Sequence, residues 1–338
     1  MYHNLKSNFL KEHNEDRMNP DRPLIFLHIP KSAGTSMSKG LDIFLHPKHS
    51  IIGGFDSVVF GKFDDFKSIN HKISSKIYVG TNYLPKAVDL VTGHFSYNTL
   101  INAYPHGQII TIMREPSSRL LSFWMYWRSY NDKQVKMFGT WGKRILLARK
   151  SFKEFLNASE IYCQTDNITT RMLLYPHRLI PLDRAIDPLY DNQLLIEARR
   201  IINKLAFVDI IENPKFLNRL STWLGGSFEL QRENVTGAIP LPFRRNLHNE
   251  FDQETLELLE KRTRLDRILW HDIISKYNPD LDSSVLERSI VIEKFTLGTM
   301  YLFGLNKKLN KYNNFKIFNT SIIASKAKYL FNKFSKKA

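Results

Sequence analysis

The residues best suited to chemistry fall in three short stretches: Lys31-Ser32-Ala33-Gly34-Thr35-Ser36, Gly93-His94, and Arg114 with Ser122. The first lies between an apolar run of strand length, Leu24–Ile29, and a helical pattern over Met37–Leu45. Pro30 stops the strand, and the small polar residues after it let the backbone turn tightly. A strand, a small-residue turn and a helix start form an anion site, because free backbone N–H groups and the helix dipole converge there. Lys31 adds a point charge suited to phosphate. The stretch is not a Walker A loop, which needs a glycine, four residues and then Gly-Lys-Ser/Thr; here Lys31 precedes the only glycine of the turn. Taken alone, it also fits a plain strand–turn–helix.

Arg114 closes a second apolar run, Gln108–Met113, and enters a helical pattern over Glu115–Tyr130 with Pro116 at a tolerated first-turn position. Arg114 at the strand end and Ser122 two turns along can reach one phosphate from different directions, and the arginine fork suits a phosphate monoester better than lysine does. A capped, arginine-bearing amphipathic helix is the bland alternative. His94 follows Asp89–Thr92, a short apolar segment that is expected to break at Gly93-His94. Sites of parallel sheets collect at the carboxyl ends of strands, so His94 would face the same cleft as Lys31 and Arg114. Imidazole is suited to take a hydroxyl proton near neutral pH. A lone histidine past a strand end is otherwise a hydrogen-bonded loop residue.

Together the stretches resemble the motifs of sulfotransferases that use 3′-phosphoadenosine 5′-phosphosulfate (PAPS), in the family-2 group acting on carbohydrates and heparan sulfate, bacterial branch. Pro30-Lys31-Ser32-Ala33-Gly34-Thr35-Ser36 is similar to that group's Pro-Lys-Thr-Gly-Gly-Thr-Ser loop, with Ser32 and Ala33 in place of Thr and Gly. Arg114-Glu115-Pro116 followed by Arg119 and Ser122 resembles its 3′-phosphate motif, with Glu115 for the usual Asp. Val91–Tyr97 is similar to the Gly-His-aromatic segment bearing the family's base. Weaker likenesses extend over residues 23–275, at Asp166–Arg171, Phe207–Phe216 and Glu233–Thr236; Asn167 and Arg171 fit a helix-capping and pairing role better than an acceptor cleft.

The resemblance implies a P-loop NTPase-like three-layer α/β fold with a mainly parallel sheet flanked by helices. It implies transfer of a sulfuryl group from PAPS to an acceptor hydroxyl, leaving adenosine 3′,5′-bisphosphate (PAP), with no metal. Lys31, Ser32, Ala33, Gly34, Thr35 and Ser36 would hold the phosphosulfate, Lys31 stabilising the leaving oxygen. Arg114 and Ser122 would hold the 3′-phosphate, and His94 would be the base. The acceptor would be a carbohydrate, a polysaccharide or glycolipid and possibly acidic, whose identity resides in loops such as Phe55–Lys76 and Asn131–Lys143.

The elements that must position these residues read in order as strands separated by helices, which indicates a mainly parallel sheet with right-handed crossovers. Ile51–Lys76 reads as an excursion, Leu205–Ile211 as a third central strand, and Pro214–Leu224 as a helix ended by Gly225-Gly226. Gln231–Arg245 reads as an arginine-bearing loop, and Gln253–Lys261 and Arg264–Tyr277 as two closing helices. Residues 1–22 are expected to be a flexible lead-in, 23–290 the sulfotransferase domain and 291–338 a basic amphipathic tail. Lys307–Ala338 holds nine lysines and no acid, with an apolar stripe from Phe318 to Phe334, so it either packs on the domain or lies on an anionic membrane.

The 338 residues carry a formal charge of +16 and favour anionic partners. One cysteine, Cys163, leaves no internal disulfide and fits a reducing compartment. The lead-in lacks a signal-peptide core, and no run of about 18 apolar residues appears. The expected location is therefore cytoplasmic, with peripheral contact at the inner membrane face through the tail; no nucleic acid is expected as partner. Two rival functions stay open: a basic polyanion- or membrane-binding protein on a degenerate P-loop-like fold, and a nucleotide-dependent phosphotransferase.

Overall fold

A computed structural model describes residues 17–79, 83–230, 239–244 and 250–302. The lysine-rich tail, Arg232 and Arg245 lie outside the described residues. Six strands form one sheet: β1 (Leu24–Leu27), β2 (Ser50–Asp56), β3 (Ile77–Tyr78), β4 (Leu90–His94), β5 (Gln108–Met113) and β6 (Phe207–Ile210). Their order is β3-β2-β4-β1-β5-β6, and every pairing is parallel. The protein is thus α/β, with helices on both faces of an all-parallel sheet.

Strand alternation divides the core. Ile25 and Leu27 of β1 face one layer, where the helices Pro116–Arg128, Ile168–Leu174 and Gln253–Tyr277 pack. Leu24 and Phe26 face the other, against Met37 and Leu41 of helix Gly34–Leu45 and Leu220 and Trp223 of helix Phe216–Leu224. Full burial of all four β1 residues is what a strand covered on both sides requires, and explains the continuous apolar run. Residues just before β1 are tied to the sheet by Asn19 N–H donating to Gln108 Oε1 at 2.6 Å and Arg22 Nε donating to the His106 carbonyl at 2.7 Å.

Four sequence expectations need correction. β4 does not break at Gly93-His94 but runs through both. Ile51–Lys76 is not merely an excursion, because it contains most of β2, an interior strand. Its Ser-Ile-Ile-Gly-Gly-Phe-Asp sequence hides the strand: Gly53 takes φ +74°, and the register with β4 slips between Ile52 and Gly54. A Cβ on Gly93 would come within 2.4 Å of the Gly54 carbonyl oxygen, so the close approach of these strands demands glycine. β6 pairs only with β5 and lies at the sheet edge, buried by the helices Phe216–Leu224 and Gln253–Tyr277. Those last 25 residues are one helix rather than two, since Arg262-Thr263 holds no breaker and Thr263 Oγ1 bonds back to the Leu259 carbonyl at 2.8 Å.

A further helix, Ser283–Leu302, packs on Pro116–Arg128. No helix among the described residues is long and apolar enough to cross a membrane.

Candidate functional site

Because all six strands point the same way, their carboxyl ends share one edge of the sheet. β1 sits in the middle, between β4 and β5, and delivers His28 and the Lys31 turn. Leu27 of β1 is in register with Gly93, so His28 and His94 emerge side by side. β5 delivers Arg114, and β6 delivers Glu212. Lys31, His94 and Arg114, each singled out by residue type, therefore meet at one place.

The turn has the geometry of an anion cradle. Lys31 at φ +67° and Ala33 at φ +58° are left-handed, and Ser32 between them is not. Alternating hand curls successive backbone N–H groups towards one concavity. Helix Gly34–Leu45 starts immediately afterwards, earlier than expected, so Thr35 and Ser36 belong to its first turn. Ser32 is fully buried, and its Oγ has no hydrogen-bond partner among the described residues. Ala33 is the position at which the resembling motif carries glycine, and the left-handed backbone gives the reason for that preference.

Lys31 is half-buried rather than extended into solvent. Its Nζ lies 3.9 Å from the centroid of the Tyr126 ring, a cation–π contact, and the Tyr126 hydroxyl accepts from the Tyr130 hydroxyl at 2.7 Å. Burial, and secondarily the Arg114 charge, pull the Lys31 ammonium down to about 8. Arg114 Nη1 donates to the Lys31 carbonyl at 3.2 Å, joining the two motifs directly. Its Nε is buried without a hydrogen bond, 3.9 Å from Glu212 Oε1. Ser122 is 4% exposed, two turns along the helix that Arg114 precedes.

Glu115 caps that helix. Its carboxylate accepts from the Ser117 and Ser118 N–H groups at 2.7 and 2.6 Å, while its own N–H donates to Glu212 Oε1 at 3.0 Å. Burial pushes its carboxyl up to about 7, against the pull of those two N–H bonds. The substitution of Glu for Asp keeps the capping oxygens in reach.

His94 Nδ1 lies 2.7 Å from the His28 carbonyl oxygen. A carbonyl can only accept, so Nδ1 carries the proton and Nε2 presents a lone pair. Burial brings the His94 imidazolium down to about 4; the bond to His28 acts upwards and the Lys31 charge downwards. At neutral pH the ring is uncharged and able to accept a proton. Behind it, Asp56 accepts from Ser96 N–H and Oγ at 3.1 and 3.0 Å and from Thr99 Oγ1 at 2.5 Å, fastening the segment after His94 to the end of β2.

No family model and no curated protein matches this chain.

Asn167 and Arg171 are fully buried and bonded within the protein. Asn167 Oδ1 accepts from Leu265 N–H at 2.8 Å, and Arg171 binds the Asp166 carboxylate at 2.7 Å as well as the carbonyls of Pro181 and Arg184. Both join helices. Arg219 pairs with the Asp209 carboxylate and stacks on Tyr277. Arg244 Nε donates to the Ile239 carbonyl at 3.1 Å.

Sequence reasoning passed over His28, Tyr126 and Glu212. His28 was legible as the last residue before Ile29-Pro30 at a parallel strand's carboxyl end. Tyr126 follows Ser122 by one helical turn and so shares its face. Glu212 carries no local signal, because its partner Arg114 is remote in sequence.

Proposed function

We propose that the protein is a PAPS-dependent sulfotransferase of the carbohydrate type, on a P-loop-like α/β domain. The observation that carries this reading is the meeting of three unlike groups at one sheet edge. They are a left-handed turn with its lysine, an arginine bonded to that turn at 3.2 Å, and a neutral histidine whose Nε2 is free to accept. The turn suits the 5′-phosphosulfate, Arg114 and Ser122 the 3′-phosphate, and His94 an acceptor hydroxyl. Ser32 Oγ and Arg114 Nε, which make no hydrogen bond among the described residues, are buried donors of the kind an anion satisfies.

In the reaction, an acceptor oxygen attacks the sulfuryl sulfur in line with the phosphate oxygen. The new S–O bond forms as the bond to phosphate breaks, and PAP leaves. The hydroxyl proton goes to His94 Nε2. Lys31 and the turn N–H groups take up charge developing on the leaving oxygen. Catalysis of this kind rests on positioning and electrostatics rather than on a metal.

The test is transfer from radiolabelled PAPS to cell-envelope carbohydrate, alongside calorimetric binding of PAP, adenosine 5′-phosphate and ATP. PAP should bind most tightly, and His94→Ala should lower turnover by about 10²–10⁴-fold while PAP affinity is kept. Preference for ATP would favour a phosphotransferase. Binding of acidic polymer with no nucleotide selectivity would favour a polyanion-binding protein.

A further inference from the structure

We propose that the side chain of His28 is a positioning residue for His94, a flat wall that fixes the neighbouring ring and keeps water from its inner face. Three independent contacts place it there. The two imidazole centroids are 4.2 Å apart, with the planes inclined by 41°. The His28 carbonyl holds His94 Nδ1–H at 2.7 Å, so one residue supplies both the tautomer-fixing acceptor and the covering ring. On its other side, the His28 ring lies against the anion turn: a Cβ on Gly34 would fall 1.8 Å from its Cδ2 and Nε2. His28 stacks on Phe26 as well, at 5.6 Å and 8°, which leaves the ring 9% exposed. Glycine at 34 is thus required by the histidine at 28.

The groups around His94 are few. From the turn comes the Lys31 ammonium, and from β1 the His28 ring. From β2 come Phe55, 5.5 Å away, and Asp56, whose carboxylate is engaged by Ser96 and Thr99. Among the causes acting on His94, burial is the largest, and the His28 ring is part of what buries it. The His28 imidazole is itself held well below its ordinary range, by burial first and then by the His94 and Lys31 charges, so it acts as an uncharged plate and not as a second base. Phenylalanine should therefore replace it, and alanine should not.

The experiment is a histidine-ring NMR titration of the full chain, with His94 assigned from the loss of its signal in His94→Gln. The wild-type ring should show the Nδ1–H tautomer and titrate near 4. His28→Ala admits water and should raise that midpoint by about one unit or more, with mixing of tautomers, and His28→Phe should stay within about half a unit of wild type. An unmoved His94 midpoint and tautomer in His28→Ala, or an equal shift in His28→Phe, overturns the proposal. Should His28→Ala fail to fold, Gly34→Ala displaces the same ring from the turn side, and an unmoved His94 there overturns it equally. The assignment of sulfuryl transfer motivates interest in His94, but the titration reads the ring directly. Failure of the enzymatic reading would leave the NMR result standing, and the reverse holds too.

Discussion

A ligand that brings negative charge to the turn should bind with a proton at alkaline pH, and Lys31 should be the group that takes it. Burial and Arg114 lower the free Lys31 ammonium from 10.5 to about 8. A phosphate beside Nζ offsets the desolvation and returns the bound value towards that of an ordinary lysine. Well below pH 8 the free and bound proteins are both protonated at Lys31, so Lys31 adds no pH dependence to PAP affinity there. Above it the free protein loses the proton and binding must recover it. If the bound value returns to about 10.5, affinity at pH 9 falls about tenfold, or about 1.4 kcal/mol, relative to pH 7. Calorimetry of PAP between pH 7 and 10, in two buffers of different ionisation enthalpy, measures both the loss and the proton taken up. Lys31→Met should bind more weakly at pH 7 and show neither the slope nor the uptake. A wild-type affinity unchanged to pH 9.5, or a slope retained in Lys31→Met, would refute the reasoning.

Arg114→Ala should weaken PAP binding roughly tenfold or more, from loss of a charge-assisted contact of about 1.5–3 kcal/mol, and leave adenosine 5′-phosphate nearly untouched; equal losses would remove Arg114 from the 3′ position. Glu115, raised from 4.5 to about 7, contributes stability below pH 4.5 that is lost as pH climbs through 7. Urea unfolding should therefore show the wild type losing about 3 kcal/mol more than Glu115→Gln between pH 4.5 and 7.5, the variant losing some capping at every pH. Ala33→Gly relieves a left-handed alanine at φ +58° and should raise stability by about 1 kcal/mol; a loss of stability would show that glycine's unfolded-state entropy outweighs the strain.

Residue type and local order were enough to single out the turn, Arg114 and His94, because each lies at or just past the carboxyl end of a strand and parallel strands gather those ends. They were enough for the α/β class and for β1 and β5, whose apolar runs are those of strands buried on both faces. For Asn167 and Arg171 the sequence offered a capping and pairing role beside an acceptor-cleft one; Arg171 does pair with Asp166 at 2.7 Å, whereas the Asn167 side chain does not cap its own helix and instead accepts from Leu265 N–H. β2 was not legible, since Gly54 answers to Gly93 on the neighbouring strand and Gly53 to the bulge between Ile52 and Gly54 rather than to strand propensity. The same holds inside the site. That Lys31 rests on Tyr126, that Arg114 reaches back to the Lys31 carbonyl, and that His28 walls in His94 all depend on elements meeting across the sheet edge. Local sequence could name the lysine and the histidine as groups able to carry charge or a proton. Their charge states are set by burial, and burial belongs to the packed chain alone.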